Sequence, residues 1–429
     1  MLKIVAFVPA KGNSDRIQSK NLAILDGEYL FKYKLRQLLD CSLISEVVLD
    51  TESDQIAELA DDLEITRLKR PLEFASNQTD GHALFAWECS QIEADIYVQA
   101  LCTAPFVNED TVTRAIQALL NSPEHDSLVA VTNTKQYLWK DNEPLYGTGR
   151  IPNSVDLPVT TIEAMSLYIV RKSVIASGKR FGSNPILFNL SPTEAVDVNW
   201  PEDLELAETI SAGYRAKENL QLAALAPYFT TSLLSDITRE MGYKFTLPQE
   251  IKGEGRFLGR VKTLLLDIPT EDNDWKGIYK ALDSYAFIRP NDVIIVENRV
   301  PSHAYFGNLN AQLAIRAGAI GTVVNGVTRD KTEVEKLGYP VFSRGNYCVD
   351  IKFKGTVRAM NKPITIGSVN ICNGDYVLAD SDGVIVIPRK LWPEVKSLAL
   401  KNIEKEWNVG MSVALGIAPN EIYKNLGEF

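Results

Sequence analysis

A cationic loop follows the first apolar segment of the chain. Residues 4–10 read IVAFVPA, which is typical of a buried parallel strand, and the polar residues behind it include two lysines and one arginine. Open α/β sheets bind nucleotide phosphates in loops at the carboxyl ends of such strands. Three cations there could neutralise a triphosphate, although a basic turn exposed to solvent has the same composition. The candidate phosphate-binding residues of this loop are Lys11, Gly12, Arg16, Lys20 and Asn21.

Two further polar segments of the first half could complete a nucleotide site. Residues 69–81 (KRPLEFASNQTDG) carry Arg70 and Asn77, which could reach a base or a phosphate, although a plain surface loop fits this composition equally well. Residues 196–208 (VDVNWPEDLELAE) place Asp197 at the end of a short predicted strand, just before a helix. A carboxylate at that position could hold Mg²⁺, which prefers oxygen ligands and substrate phosphates.

Four segments in this order resemble the acylneuraminate cytidylyltransferases, the family of CMP-sialic acid synthetases: PAKGNSDRIQSKN, VVLDTESDQIAELA, RPLEFASNQT and VDVNWPEDLELAE. The resemblance implies that Lys11 takes the place of a phosphate-binding arginine. It also implies that Lys20 and Asn21 contact the triphosphate and the nucleotide. Arg70 and Gln99 fall where the family contacts cytidine or sugar.

The same resemblance, which spans residues 3–210, implies a reaction and a metal ion. A hydroxyl of an acidic sugar attacks the α-phosphate of CTP in line, and pyrophosphate leaves with the help of Mg²⁺ or another divalent cation. Asp197 matches a metal-binding aspartate of the family, whereas Asn199 stands in place of a second one. This departure favours a sialic acid-like sugar other than sialic acid itself. Transfer of another nucleotide is the alternative.

A second cluster of candidate residues lies within the segment GNLNAQLAIRAGAIGTVVNGVTRD. The pattern predicts a loop, a helix, a glycine turn and a strand that leads into Arg329 and Asp330. Unpaired N–H groups and the positive end of the dipole at the start of this helix would suit a carboxylate. A structural ion pair between Arg329 and Asp330 is the alternative. The residues at the start of the helix are Gly307, Asn308, Leu309 and Asn310.

Residues 228–410 resemble the RraA-like family, which contains 4-hydroxy-4-methyl-2-oxoglutarate aldolases and the regulator of ribonuclease E activity. Besides the segment above, TTSLLSDITREMG, KLGYPVFSRG and NGDYVLADSDGVIVIP carry the resemblance. In the aldolases, an aspartate before the helix and the aspartate of the Arg-Asp pair organise Mg²⁺ around a pyruvate-like enolate. Here Asp330 is retained as a metal ligand, whereas Asn308 replaces the earlier aspartate. The resemblance therefore implies carboxylate binding by the loop amides and Arg329, and it leaves aldolase, regulatory and oligomerisation roles open.

Strand-like and helix-like segments alternate in the first half, which predicts βαβ units and a mostly parallel sheet. A chain of 429 residues exceeds what one core usually supports. We expect a Rossmann-like nucleotidyltransferase domain at residues 1–212, a helical linker at 213–227, and an α/β RraA-like domain of the swivelling β/β/α type at 228–429. Sialic acid-like sugars are 2-keto acids formally assembled from pyruvate and an aldose, so one polypeptide could handle a 2-keto acid twice.

The composition narrows the cellular setting and the partners. The net charge is -10, which argues against a nucleic-acid partner, because phosphate contacts need clustered basic residues. No apolar run reaches the roughly 20 residues that span a bilayer, and no secretory signal is visible, so we expect a cytoplasmic enzyme without a membrane segment. Five cysteines without CxxC spacing indicate neither a disulfide framework nor a zinc cluster. Both resembled families usually assemble from several subunits, so we expect a homo-oligomer.

Overall fold

The computed structural model describes residues 2–13, 17, 19–76 and 78–427. Arg16 and Asn77, two of the predicted ligand-binding residues, lie outside the described residues. The chain forms two compact units, Met1–Ala212 and Gly213–Phe429. Within the described residues, no helix has both the length and the apolar character needed to cross a membrane.

The described residues of the first unit form eleven strands and the start of its last long helix. The strands are β1 (Ile4–Pro9), β2 (Ile24–Leu25), β3 (Glu28–Tyr29), β4 (Glu46–Thr51), β5 (Thr66–Lys69), β6 (Ile96–Ala100), β7 (Ser127–Thr134), β8 (Trp139–Lys140), β9 (Glu143–Pro144), β10 (Thr160–Arg171) and β11 (Pro185–Asn189). The α-helices are α1 (Leu30–Asp40), α2 (Asp54–Leu59), α3 (Gly81–Gln91), α4 (Glu109–Leu120) and α5 (Pro201–Leu225), and 3₁₀ helices cover Lys20–Leu22, Leu72–Ala75, Ser154–Asp156 and Lys172–Ser177.

Seven of these strands form one sheet, in the order β11-β7-β10-β6-β1-β4-β5. The apolar strand β1 lies inside the sheet and pairs in parallel with both β4 and β6. Its continuous apolar sequence suits a strand that is covered on both faces. Only β10 runs antiparallel to its neighbours in this sheet, so the sheet is mostly parallel and the expected α/β class is confirmed.

Polar side chains begin the helices that return the chain to the sheet. Ser53 Oγ accepts the N–H of Ile56 at 3.3 Å at the start of α2, and Asn108 Oδ1 accepts the N–H of Thr111 at 3.0 Å at the start of α4. Each cap satisfies an N–H that has no partner within its helix. The buried faces of α1 and α4 then pack with β1 in one apolar core.

The second unit has its own seven-stranded sheet. Its strands and hairpins are β12 (Phe257–Asp267), β13 (Asp292–Asn298), β14 (Gly321–Thr328), β15 (Val341–Asn346), β16 (Thr356–Met360), β17 (Ile364–Ile366), β18 (Val369–Ile371), β19 (Tyr376–Asp380) and β20 (Gly383–Ile387). Its helices are α6 (Thr231–Glu240), α7 (Asn308–Ala317), α8 (Lys331–Lys336), α9 (Trp392–Ala414) and α10 (Pro419–Leu426), with 3₁₀ helix over Asp274–Phe287.

Parallel strands make up one half of this second sheet. The order is β15-β14-β13-β12-β19-β20, and β16 also pairs with β12. Strands β12 to β15 are parallel to one another, whereas β16, β19 and β20 pair in antiparallel fashion. The carboxyl end of β14 therefore carries Arg329 and Asp330, which follow this strand directly, to the same edge as the ends of β13 and β15.

Residues 213–225 continue helix α5 and pack onto the second unit. Leu222 is buried in an apolar cluster with Phe229 and Trp392. Arg215 Nη1 donates to Asp292 Oδ1 at 2.7 Å, and both side chains are buried. The stretch predicted to be a linker is thus helical and contributes to the packing of this unit.

We expect Arg215→Ala to lower the free energy of unfolding of the second unit by about 3 kcal/mol, because it removes the hydrogen-bonded member of the two cations, Lys262 and Arg215, that compensate the buried Asp292 carboxylate. Hydrogen exchange of the β13 amides measures the free energy of unfolding of the second unit alone. Lys331→Ala, which removes the exposed pair with Glu335, is the control and should change the same quantity by less than about 0.5 kcal/mol. Equal effects of the two changes would contradict the assignment.

Candidate active site

A cavity of about 500 Å³ opens at the carboxyl ends of the central strands of the first unit. Four cations and one carboxylate are among its lining residues, so it combines a positive surface with a candidate metal ligand. The lining residues are Pro9, Lys11, Lys20, Asn21, Arg70, Leu84, Leu101, Cys102, Thr103, Met165, Arg180, Asp197 and Asn199. The structure therefore brings Lys11, Lys20, Asn21, Arg70 and Asp197 to one site, as their shared motif pattern predicts.

The loop after β1 is held in place by hydrogen bonds to its own backbone and to the loops that follow β4 and β6. Asn21 Nδ2 donates to the Lys11 carbonyl at 2.7 Å, and the Cys102 thiol donates to Asn21 Oδ1 at 3.0 Å. The N–H of Gly12 donates to Glu52 Oε1 at 2.7 Å. A Cβ at Gly12 would lie 2.9 Å from that of Ser53, so the close approach of the two loops requires glycine. Gly12 thus supports the loop and does not line the cavity.

Lys20, Asn199 and Asp197 form a chain of polar contacts along one wall. Lys20 Nζ donates to Asn199 Oδ1 at 3.4 Å, and Asn199 Nδ2 donates to Asp197 Oδ2. The Asp203 carboxylate accepts the N–H groups of Asn199 and Trp200 at 2.9 and 2.8 Å, which fixes the segment at the start of α5. The expectation that Asp197 ends a strand is wrong, because residues 195–199 form no strand and are held by these contacts instead.

The carboxylate of Asp197 has the properties of a metal ligand. Its Oδ1 atom is buried and has no hydrogen-bond partner among the described residues, so one hard oxygen is available to a cation. No cluster of three or more His, Cys, Asp or Glu side chains occurs in the described part of the chain. A divalent ion at Asp197 would therefore take most of its ligands from water and phosphate oxygens, which fits the coordination habits of Mg²⁺.

A buried charge network lies under the floor of the cavity. Arg70 Nε donates to Asp50 Oδ2 at 2.8 Å, and both side chains are almost fully buried. Gln99 is also fully buried, and its amide donates to Glu88. Gln99, expected to contact cytidine or sugar, is thus absent from the cavity lining, because burial of the β6 side chain directs its amide into this network. Arg70 does line the cavity, although the Asp50 carboxylate compensates the charge of its guanidinium group.

Burial shifts the pKa of several groups around this network. It raises the pKa of Glu88 well above its usual range, and the nearby Asp50 carboxylate adds to the rise. Burial also lowers the pKa of Lys34 to about 7, and the ammonium group donates to the Val107 carbonyl. The pKa of the Cys102 thiol rises to about 11 through burial, so the thiol stays protonated and serves as the donor to Asn21. Burial therefore favours the protonated forms of the Glu88 carboxyl and the Cys102 thiol, whereas Lys34 titrates close to neutral pH.

Several lining residues lie outside the motifs found in the sequence, and three of them come from segments away from the ends of β1 and β6. Leu84 comes from α3, and Arg180 comes from the loop before β11. Met165 adopts a left-handed backbone with φ 47°, at an irregularity in the pairing of β10 between Glu163 and Tyr168. Nothing in the local sequence signals these positions. Met165, for example, reaches the cavity because β10 pairs antiparallel with β6, and the N–H of Leu101 donates to the Ser166 carbonyl.

In the second unit the predicted residues do come together, but they bond to one another. The Asp330 carboxylate accepts the N–H of Asn308 at 3.1 Å, so the expectation of unpaired N–H groups at this helix start is wrong for at least that donor. A Cβ at Gly307 would lie 2.6 Å from Asp330 Oδ2. Leu309 is exposed, and Asn310 Nδ2 donates to the Tyr305 carbonyl at 2.8 Å.

Arg329 is paired with an acidic residue that the sequence patterns do not reveal. Its Nη1 lies 2.8 Å from Asp350 Oδ2, whereas its Nε is 3.8 Å from Asp330 Oδ2. Arg329 also lines a cavity of about 380 Å³, whose described lining residues include none from 307–310. The apolar surface of this cavity comes from Phe306, Val334 and Tyr339. Arg329 can therefore contact a ligand in this cavity, although residues 307–310 at the start of α7 do not line it.

Two family models match the two units. Residues 5–181 match the model described as Cytidylyltransferase, and residues 231–386 match the model described as Aldolase/RraA. The chain therefore joins a segment that matches the Cytidylyltransferase model to a segment that matches the Aldolase/RraA model. Both resemblances drawn from the sequence motifs are thereby confirmed.

Curated relatives match the two segments separately. N-acylneuraminate cytidylyltransferase A of Danio rerio is 23% identical over 245 residues, which cover 54% of this chain and 57% of the relative. CMP-N,N'-diacetyllegionaminic acid synthase of Legionella pneumophila is 26% identical over 226 residues, or 49% of this chain and 96% of the relative. A Halalkalibacterium halodurans protein named as a 4-hydroxy-4-methyl-2-oxoglutarate aldolase is 36% identical over 101 residues, or 23% of this chain and 48% of the relative. The chain spans about half the length of the first and third of these relatives.

The buried network of the cytidylyltransferase-family segment predicts a pH effect on stability. Because the pKa of Glu88 is raised in the folded state, its favourable contribution is complete below the unfolded pKa and is lost as the pH rises through the folded pKa. We expect Glu88→Gln to make the free energy of unfolding fall less than in the wild type between about pH 5 and pH 8, measured by chemical denaturation. Glu124→Gln, at an exposed carboxylate, is the control. Parallel pH profiles for wild type and Glu88→Gln would contradict the protonated state of Glu88.

Proposed function

We propose that the first unit transfers CMP from CTP to a hydroxyl of an acidic, sialic acid-like 2-keto sugar and releases pyrophosphate. The observation that carries this proposal is the contact chain Lys20–Asn199–Asp197 on the wall of a cationic cavity. It sets an ammonium group beside a carboxylate with a vacant oxygen, and these are the two kinds of group that a magnesium-bound triphosphate needs. The match to the cytidylyltransferase model supports the reaction class.

The residues of the cavity define roles in the reaction. Lys11 and Lys20 offset the negative charge of the triphosphate, and Asn21 holds the nucleotide end of the loop in position. The sugar hydroxyl, which we take to be the anomeric one, forms a bond to the α-phosphorus and releases its proton to water. At the same time the bond between the α-phosphorus and the oxygen that bridges to the β-phosphate breaks. The charge that moves onto pyrophosphate then lies beside the lysines. A Mg²⁺ ion held by Asp197 would supply Lewis-acid stabilisation of the phosphate oxygens.

The wall of the site bears on the choice of sugar. Asn199 is neutral and bonds to both Lys20 and Asp197, so this wall carries one negative charge fewer than the sialic acid pattern has. Two of the relatives carry the names of acidic sugars, N-acylneuraminate in one case and N,N'-diacetyllegionaminic acid in the other. A related acidic sugar, distinct from sialic acid itself, is therefore the proposed substrate class, with transfer of another nucleotide as the alternative.

We expect Lys20→Ala and Asp197→Ala each to lower CTP-dependent pyrophosphate release by about 100-fold or more, because each removes a charge that stabilises the reacting phosphates. The assay uses the full chain with Mg²⁺ and a panel of 2-keto sugar acids, and it is repeated with the other nucleoside triphosphates. Lys172→Ala, which removes an exposed ammonium paired with Glu93, is the matched control. Wild-type rates in both site variants would remove the assignment.

We also propose that the RraA-like unit binds a 2-keto acid such as pyruvate through Arg329. Support comes from the position of this guanidinium on the wall of the cavity of about 380 Å³ and from the match to the Aldolase/RraA model. The carboxylate of the ligand would displace Asp350 from Arg329, because these two anions compete for one guanidinium. Asp330 is the proposed metal ligand. The alternative is a non-catalytic unit that serves oligomerisation or partner binding, and the homo-oligomer itself stays a prediction.

We expect Arg329→Ala to abolish pyruvate release from 2-keto acids by the full chain in the presence of Mg²⁺, because the ligand carboxylate loses its charge-assisted hydrogen bonds. Pyruvate is measured by coupling to NADH oxidation. Lys336→Ala removes an exposed charge on α8 and should leave the rate unchanged. If the wild type releases no pyruvate from any of these acids, the oligomerisation role is favoured.

A further inference from the structure

Arg180 is a cation of the first cavity, and none of the described carboxylates forms an ion pair with it. Its guanidinium carbon lies 4.8 Å from the centre of the Tyr168 ring, and its Nε atom is buried without a hydrogen-bond partner among the described residues. Glu163 accepts the hydrogen bond of the Tyr168 hydroxyl and forms no ion pair with Arg180. A buried guanidinium N–H without an acceptor is costly, so this geometry favours an anion supplied from outside the chain.

Other arginines of the same unit show the contrast. Arg36 pairs with Glu28 at 3.2 Å, Arg114 pairs with Glu194 at 2.8 Å, and Arg70 is buried against Asp50. Their charges are compensated within the chain. Arg180 lines the cavity with its charge uncompensated by any such pair among the described residues.

The surroundings of Arg180 hold the guanidinium in one place. A Cβ added at Gly81 would lie 2.5 Å from the guanidinium carbon, so the guanidinium packs directly against the backbone at the start of α3. The backbone N–H of Arg180 donates to His82 Nδ1 at 3.0 Å. The ring of Tyr168 also contacts the guanidinium. An arginine that is already ordered loses little conformational entropy when it binds a planar anion.

The position of Arg180 distinguishes it from the phosphate-binding lysines. Lys11 and Lys20 belong to the loop after β1, whereas Arg180 rests on Tyr168 of β10, which lies two strands away in the order β10-β6-β1. Two strand spacings are roughly 10 Å. The triphosphate thus has its own cations at one end of the cavity, and the remaining anion of the proposed substrates is the carboxylate of the sugar.

We propose that Arg180 binds the carboxylate of the acidic sugar and makes the first unit selective for sugar acids. The assignment rests on the proposed cytidylyltransferase function. The planar guanidinium matches a carboxylate with two parallel N–H···O bonds, and the buried Nε–H is one of the two donors. Neutral sugars would leave that donor unpaired, which is the physical basis of the selectivity.

The test compares Arg180→Gln and Arg180→Lys with the wild-type full chain, and Lys179→Gln removes a neighbouring exposed charge as the control. The substrates are CTP with Mg²⁺ and the sugar acid that the wild type turns over, together with its methyl ester. We expect Arg180→Gln to raise the KM for the acid about 10- to 100-fold, with the KM for CTP unchanged and the rate with the ester unaffected. Arg180→Lys should recover part of the loss, because it keeps the charge without the fork.

Two results would overturn the assignment. An unchanged KM for the acid in Arg180→Gln, with an active wild type, removes the role of Arg180 and leaves the proposed function intact. A raised KM for CTP instead would assign the guanidinium to the nucleotide. If Arg180→Gln fails to fold, Gly81→Ala provides the second variant, since it displaces the guanidinium and should raise the KM for the acid in the same way. A wild type that releases no pyrophosphate with any nucleotide and sugar acid defeats the proposed function itself.

Discussion

The first unit depends on holding a carboxylate and an ammonium group close together without letting them neutralise each other. Asn199 does this, because its amide lies between Lys20 and Asp197 and bonds to each with its opposite end. Lys20 and Asn199 are 179 positions apart, so the contact also ties the loop after β1 to the start of α5. Inside a cavity of low dielectric, such charges act strongly on a bound phosphate. The cationic character of the site arises locally, in a chain whose net charge is -10.

The buried network under the floor keeps that arrangement rigid. Asp50 compensates Arg70, and the raised pKa of Glu88 favours the protonated form of this second carboxyl, which reduces the repulsion between two adjacent buried acidic groups. Gln99 completes it from β6. The side chains of β4 and β6 thus serve the site indirectly, and the cations that face the cavity come from the loops around them.

In the second unit, by contrast, the charged candidate residues are already paired with other groups of the chain. Arg329 is neutralised by Asp350, and Asp330 occupies an N–H at the start of α7. A ligand must therefore compete with the chain's own carboxylates, which makes binding conditional on a strong anion or on a metal that withdraws Asp330. This self-pairing is compatible with a binding domain as well as with an aldolase that has lost one carboxylate at Asn308.

The sequence alone determined the α/β class, the two family segments and the residues of the loop after β1. Those features depend on residues that are close together in the sequence. An apolar run predicts a buried strand, and the cationic residues directly after it must lie at the carboxyl end of that strand. Only the tertiary structure decided that Gln99 is buried, that Arg180 enters the cavity and that Asp350 neutralises Arg329. The antiparallel strand β10 and the burial of charged groups set these partners, and pairing between distant residues leaves no periodic pattern in the sequence.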